Sequence, residues 1–304
     1  MNAFHYDYAV IGGDLRQVYL AAELSRKGFR VCQYALCRPI EQVCPDLDMG
    51  KVFSAPSFED ACRNAACIIC PVPFCKDGIF LNQNRSKKNI PLQQILLHLT
   101  QNQRFFAGCI PNEFRSAALK KGIFLFDLME DTALSHFNSI ATAEGVLCEA
   151  IRVSPRNLHG GKCAVLGYGT CGRTITDCLK RMYGSVSVAA APAAERAQAA
   201  VTADEALDLN ACFLQIGAYD FIFNTIPSVL LTRDVLSRVK PSAVILDIAS
   251  YPGGVDFAAA KELSVTALPC PGLPGKYAPL SSAKAILGCI EQSKTNFERS
   301  SSCL

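Results

Sequence analysis

The chain has almost no surplus charge. Lys and Arg total 30 against 27 Asp and Glu in 304 residues, and a net charge of +3 supplies no basic face for nucleic acid. No apolar run reaches the roughly 18 residues that a membrane-spanning helix needs. The first seven residues lack the basic stretch and apolar core of a secretory signal. With half its residues apolar, the chain is neither disordered nor fibrous. Without an export segment, the 16 cysteines read as reduced cytoplasmic thiols rather than a disulfide framework. A partner for Cys67-Ile68-Ile69-Cys70 is also missing, because no second Cys-x-x-Cys exists to complete four ligands. On a strand, residues three apart point to opposite faces. The expectation is therefore no metal and no iron–sulfur cluster, with Cys32, Cys67, Cys70, Cys109, Cys163 and Cys212 serving as small core hydrophobes.

At roughly 150 residues per domain, the length predicts two domains. Short β-branched runs alternate with helical stretches, the pattern of parallel sheets with crossover helices. The first series places strands at 8–11, 29–34, 66–70, 104–107 and 123–126, with helices at 16–27, 57–64, 92–100 and 113–121. A polar stretch within 78–89 reads as a surface loop. A helical bridge at 142–153 and the breaker cluster Ser154-Pro155-Arg156-Asn157 lead to a second series, with strands at 163–166, 186–189, 221–224, 244–248 and 265–268. An amphipathic stretch at 281–297 closes the ordered chain, and 298–304 reads as a frayed tail. The fold class expected is α/β, with two open doubly wound, Rossmann-like domains and a cleft between them. Their bounds are 1–140 for a substrate or partner domain and 141–280 for a dinucleotide-binding domain, followed by the amphipathic stretch 281–297.

The second domain opens on the strongest chemical motif: a strand, then Gly167-Tyr168-Gly169-Thr170-Cys171-Gly172, then a helix starting at Arg173. Gly167 permits the tight turn, Gly169 lets backbone approach a pyrophosphate, and Gly172 lets helix and strand pack closely. An NAD site usually carries an Asp or Glu at the end of the next strand. Here that stretch is Val188-Ala189-Ala190-Ala191-Pro192, and Arg196 follows closely. The motif therefore accommodates NADP and leaves NAD open. The first domain begins Ile11-Gly12-Gly13-Asp14-Leu15-Arg16-Gln17 without the three-glycine spacing, so it is not expected to hold a second dinucleotide.

Asn224-Thr225-Ile226-Pro227, the loop from Asp247 through Ala249 and Ser250 to Gly254, and Pro271-Gly272-Leu273-Pro274-Gly275-Lys276 follow successive strands. In open α/β sheets such loops line the ligand site, and their polar groups suit a nicotinamide and its substrate. The four histidines are His5, His98, His136 and His159, and none follows the glycine motif. A 2-hydroxyacid dehydrogenase of this architecture needs a His there as acid/base, which disfavours a simple alcohol–ketone oxidoreductase.

Six segments occur in order: Ile11-Gly12-Gly13-Asp14-x-Arg16-Gln17; Asn138-Ser139-Ile140-x-Thr142-x-Glu144-Gly145; Gly167-x-Gly169-x-x-Gly172; Asn224-Thr225-Ile226-Pro227; Ala249-Ser250-x-Pro252-Gly253-Gly254-x-Asp256-Phe257; and Pro271-Gly272-Leu273-Pro274-Gly275. Together they resemble the dipicolinate synthase A-chain family. The resemblance implies a nicotinamide cofactor and a fold like formate and glycerate dehydrogenases, in which helix 281–297 crosses back to pack on the first domain. It implies oxidation of a dihydrodipicolinate-type ring to pyridine-2,6-dicarboxylate, in the mother-cell cytoplasm of a spore-former. It also implies a flavoprotein-like B chain as partner, with self-association left open. The chain departs from the pattern at Tyr251 and at Leu280-Ser281, near the expected substrate rim.

That chemistry removes a hydride and a proton from a small dicarboxylate. Arg16 and Lys276 are candidate anion contacts, Gln17, Ser139 and Thr142 are neutral contacts, and Glu144 or Asp14 would take the proton. Glu144 near the start of a helix would otherwise serve as a cap. Cofactor contacts are expected from residues 167–173 (Gly167, Tyr168, Gly169, Thr170, Cys171, Gly172, Arg173), from Asn224, Thr225, Ile226 and Pro227, and from Asp247, Ala249 and Ser250. The alternatives are a dinucleotide-binding chain without catalysis of its own, or a different NADP-dependent dehydrogenase of shikimate or hydroxyacid type.

Overall fold

A computed structural model of the chain describes residues 4–75, 77–83 and 89–301, with side chains through Ser293. The chain divides into two compact units, one running to Phe137 and taking up the chain again from Ala278, the other comprising Asn138–Tyr277.

In the first unit, β1 (Tyr6–Ile11), α1 (Leu15–Arg26), β2 (Val31–Tyr34), α2 (Ile40–Val43), β3 (Val52–Ser54), α3 (Phe58–Arg63), β4 (Ala65–Ile69), α4 (Leu92–His98), β5 (Arg104–Ala107), α5 (Asn112–Lys120) and β6 (Phe124–Asp127) alternate. The six strands are all parallel, in the order β3-β2-β1-β4-β5-β6. Side chains of a strand alternate between faces, so both faces must be covered by helices. One core gathers Ile11, Ile68 and Phe105 with residues of α3, α4 and α5. The other gathers Tyr8, Val10 and Ile69 with α1 and with Ala283, Ile286, Leu287 and Ile290. Cys67, on β4, lies in the second core and Cys70, just past its end, in the first, on opposite sides of the sheet. Cys109, by contrast, is exposed.

The long helix α6 (Thr132–Val153) leads into the second unit. There follow β7 (Lys162–Leu166), α7 (Thr170–Arg181), β8 (Ser185–Ala189), α8 (Ala193–Ala199), β9 (Glu205–Leu207), α9 (Leu209–Leu214), β10 (Phe221–Asn224), α10 (Arg233–Leu236), β11 (Val244–Asp247), α11 (Phe257–Glu262), β12 (Thr266–Pro269) and α12 (Leu273–Tyr277). The strand order β12-β11-β10-β7-β8-β9 repeats the layout of the first sheet, again all parallel. Counted from each unit's first strand, both sheets have the doubly wound order 3-2-1-4-5-6, which turns back between the first and fourth strands and opens a crevice at their carboxyl ends. The chain ends in α13 (Pro279–Ser301), which packs on α1 of the first unit.

Several expectations need correction. The helical bridge begins at Thr132, ten residues before 142, so Asn138 and Ser139 lie inside it and Glu144 lies deep within the helix rather than at its start. The short edge strands β3 and β9 were not expected, and α13 runs on to Ser301 where a frayed tail was expected; residues 302–304 lie outside the described residues. Within the expected loop at 78–89, Leu81 is 4% exposed and bridges Cys75, while 84–88 lie outside the described residues. No helix among the described residues is long and apolar enough to cross a membrane.

Candidate functional site

The two units share a topology but treat their first glycine turn in opposite ways. In the first, Gly12 and Gly13 adopt φ of +69° and +78°, and the turn is covered: Gly13 N donates to Asn82 O at 2.9 Å, and a Cβ at Gly12 would meet Leu81 at 3.0 Å. The start of α1 is also closed, because Asp14 accepts from Arg16 N at 3.0 Å.

In the second unit the turn is open. Gly167, at φ +92°, turns the chain at the end of β7, and a Cβ there would stand 2.4 Å from Thr225 Oγ1. Gly172 crosses the turn so closely that its Cβ would lie 2.1 Å from Gly167 O. Between them Gly169 is exposed, and a Cβ would meet nothing within 4 Å. Gly169 is the N-cap of α7 and offers no side chain to the first-turn amides. Those amides have no acceptor within the helix and sit at the positive end of its dipole. The geometry suits a pyrophosphate, at the carboxyl end of the strand where the sheet order turns back. The residues present therefore fit a dinucleotide, through Gly167, Gly169, Thr170, Cys171 and Gly172.

Around this cradle, side chains mostly hold the loops in place. Thr225 Oγ1 donates to Leu166 O at 2.8 Å, which backs the glycine turn. Asn224 is fully buried, and its Nδ2 donates to Asp247 Oδ1 at 2.8 Å and to Ile226 O at 3.0 Å. The other oxygen of Asp247 accepts from Gly254 N at 2.9 Å, and Ala249 N lies 3.3 Å from Oδ1. Asn224 and Asp247 thus tie the 224–227 loop to the 249–254 loop. Arg173 Nε donates to Tyr168 O at 2.9 Å with its guanidinium 5.5 Å over the Tyr168 ring, bracing the turn from the helix side.

The structure does not bring the α6 residues together. Ser139 and Thr142 are buried, Ser139 hydrogen-bonded with Thr174 on α7 at 2.8 Å and Thr142 donating to Asn138 O at 2.8 Å. At about 100° per residue, Glu144 lies roughly 140–160° around the helix from both. It is exposed, in line with exposed Ile140 and Cys148. Lys276 is engaged by Glu149, a carboxylate buried to 5% exposure that also accepts from Tyr277 OH at 2.7 Å and Arg152 Nε at 2.8 Å. The Lys276 and Tyr277 hydrogen bonds hold the Glu149 carboxyl down to about 2. This cluster fastens α12 to α6.

In the first unit, Asp14 and Arg16 form a bidentate pair at 2.8 and 2.9 Å, and Arg16 also donates to Val72 O. Asp14 is the more open member, with its side chain 29% exposed against 5% for Arg16. Gln17 Nε2 donates to Cys70 O at 3.2 Å, while its buried Oε1 has no hydrogen-bond partner among the described residues. These groups cluster at the carboxyl ends of β1 and β4. Glu149, which anchors α12, and Glu195, which approaches the glycine turn, were not expected from the sequence, since neither stands in a motif. No group of three or more His, Cys, Asp or Glu among the described residues could hold a metal.

Residues 7–129 match the family model for the N-terminal domain of the dipicolinate synthase A chain. The chain is 28% identical over 292 residues to the dipicolinate synthase A chain of Bacillus subtilis (strain 168), covering 93% of this chain and 94% of that one. Among solved structures it resembles the dipicolinate synthase A chain from Bacillus halodurans, with TM-score 0.80, 25% identity and coverage of 95% and 98%. It resembles the A chain from Bacillus subtilis with TM-score 0.80, 27% identity and coverage of 99% and 100%. A crystal structure of L-alanine dehydrogenase shares the fold at TM-score 0.59 and 13% identity, covering 92% of this chain and 86% of that one. The fold is dehydrogenase-like.

Proposed function

We propose that this chain, which is similar along its length to the dipicolinate synthase A chains, is the nicotinamide-dependent component that oxidises a dihydrodipicolinate-type ring to dipicolinate. The observation that carries this reading is the open cradle at Gly169, set in an otherwise tightly packed glycine turn at the start of α7. When bound, the nicotinamide supplies the hydride acceptor. Gly169 admits the pyrophosphate to the α7 amides, while Asn224, Thr225 and Asp247 position the backbone that faces it. Loss of a hydride and a proton makes the ring aromatic, which drives the reaction toward product. A modest base is therefore enough. Of the two carboxylates considered for it, Asp14 stands at a strand end, where ligands collect, and Glu144 on the solvent side of α6. The proton role falls to Asp14, oriented by Arg16.

The Bacillus subtilis relative is named as one of the synthase's subunits, which supports a second chain as partner. On this reading the partner is a flavoprotein-like B chain, and the complex works in the mother-cell cytoplasm during sporulation. The test is a coupled assay with freshly generated dihydrodipicolinate, with and without a B chain, beside fluorescence titration of NADH and NADPH. Dipicolinate formation that needs a dinucleotide supports the proposal, and Asp14→Asn should then lower turnover while leaving dinucleotide affinity unchanged. Binding without turnover in either arm would make the chain a non-catalytic binding component. Failure to bind either dinucleotide removes the reading.

A further inference from the structure

The end of β8 carries no group that can hold a ribose: Ala189, Ala190, Ala191 and Pro192 present only methyls and a ring. A carboxylate nevertheless reaches that place from elsewhere. Glu195, in the first turn of α8, brings Oε2 to 3.4 Å from Tyr168 N, the amide between the first two glycines of the turn. Gly167 N donates to Ala189 O at 2.8 Å, so the glycine turn and the end of β8 lie side by side. In this strand order the adenosine ribose lies over the end of the second strand, beside the glycine turn. The helix dipole of α8 alone would accept an acid anywhere in its first turn and does not require one aimed back across 27 residues at a loop amide.

The neighbouring cations are already engaged. Arg196 NH1 donates to Ala190 O at 2.9 Å and Ala191 O at 2.5 Å. Arg173 is held by Tyr168 O and by Gln198. A ribose 2′-hydroxyl would find an acceptor in Glu195, whereas a 2′-phosphate, with roughly two negative charges, would meet a carboxylate.

We infer that Glu195 stands in for the missing strand-end acid and gives this chain a preference for NAD(H) over NADP(H). The inference rests on the nicotinamide reading above and deepens it. The test is fluorescence titration of the full chain with NADH and with NADPH, using the wild type, Glu195→Gln and Arg196→Ala, with thermal melts to establish that each is folded. The wild type should bind NADH tighter by about tenfold or more, and Glu195→Gln should erase that ratio, a change of roughly 1.4 kcal/mol per tenfold. Arg196→Ala should leave the ratio in place. A wild type that prefers NADPH, a folded Glu195→Gln with an unchanged ratio, or a preference controlled by Arg196 would overturn the inference while leaving the nicotinamide reading intact. Binding of neither dinucleotide would remove both.

Discussion

Replacing Gly169 and Gly172 one at a time separates the two tasks of the glycine turn. At Gly169 the backbone has φ −70°, which any residue adopts, and a Cβ meets nothing within 4 Å. Gly169→Val should therefore cost only the weaker N-cap of α7, about 1 kcal/mol, and thus about 4 °C in melting temperature. Its isopropyl group would fill the space through which a pyrophosphate reaches the α7 amides. NADH binding should be lost. Gly172 is the opposite case, with a Cβ placed 2.1 Å from Gly167 O. Ordinary carbon–oxygen contacts begin near 3.3 Å, so turn and helix must part by about 1.2 Å. Alanine would otherwise favour a helix by up to about 1 kcal/mol over glycine. Overpacking against backbone costs about 1–3 kcal/mol and removes whatever the propensity adds. The net expectation for Gly172→Ala is destabilisation of up to about 2 kcal/mol, a fall of several degrees, accompanied by weakened binding as the cradle opens. Circular dichroism melts and NADH fluorescence titrations on the same samples decide. If Gly169→Val binds NADH like the wild type, the cradle is not the cofactor site; if Gly172→Ala melts at or above the wild type, the packing argument is wrong.

Two further outcomes follow from the packing. Ile286 on α13 is 1% exposed in the core shared with α1, so Ile286→Ala should cost about 2–5 kcal/mol, and truncation after Ala278 should cost more. Both should lower the stability of the first unit, read by proteolysis or amide exchange, and leave NADH affinity in the second unit unchanged; a truncated chain as stable as the full one would show α13 to be an appendage. Glu149 has a carboxyl held at about 2 against an ordinary 4.5, so it stabilises the folded state above pH 4.5 and that contribution drains away as pH falls toward 2. Glu149→Gln should therefore melt below the wild type at neutral pH, with the gap closing between pH 4.5 and 2; a gap that persists at the lowest pH would refute the assignment of the stabilisation to the ionised group.

Ten of the twelve strands among the described residues were legible in the sequence, because a buried parallel strand must be apolar on both faces and so reads as a short β-branched run between helices. The two that were not, Val52–Ser54 and Glu205–Leu207, each lie at one edge of a sheet and are three residues long and only partly buried. Three residues are too few to carry a period. The start of α6 was misplaced because Asn138 and Ser139 are turn formers by composition. In the fold they are buried, with Ser139 bonded across to Thr174, and tertiary packing overrides local preference.

By itself the sequence determined the two α/β series, the glycine turn and its likeness to a family, since each depends on residue type at fixed short spacing. Tertiary structure alone decided which partners those residues take. Lys276 stands in a motif yet is engaged by Glu149, Asn224 and Asp247 hold each other, and Glu144 lies across the helix from Ser139 and Thr142. Glu195 stands in no motif and yet reaches the glycine turn. A side chain's partners are set by what the fold brings within about 3 Å, often from residues scores of positions away, and no local pattern in the chain records that distance.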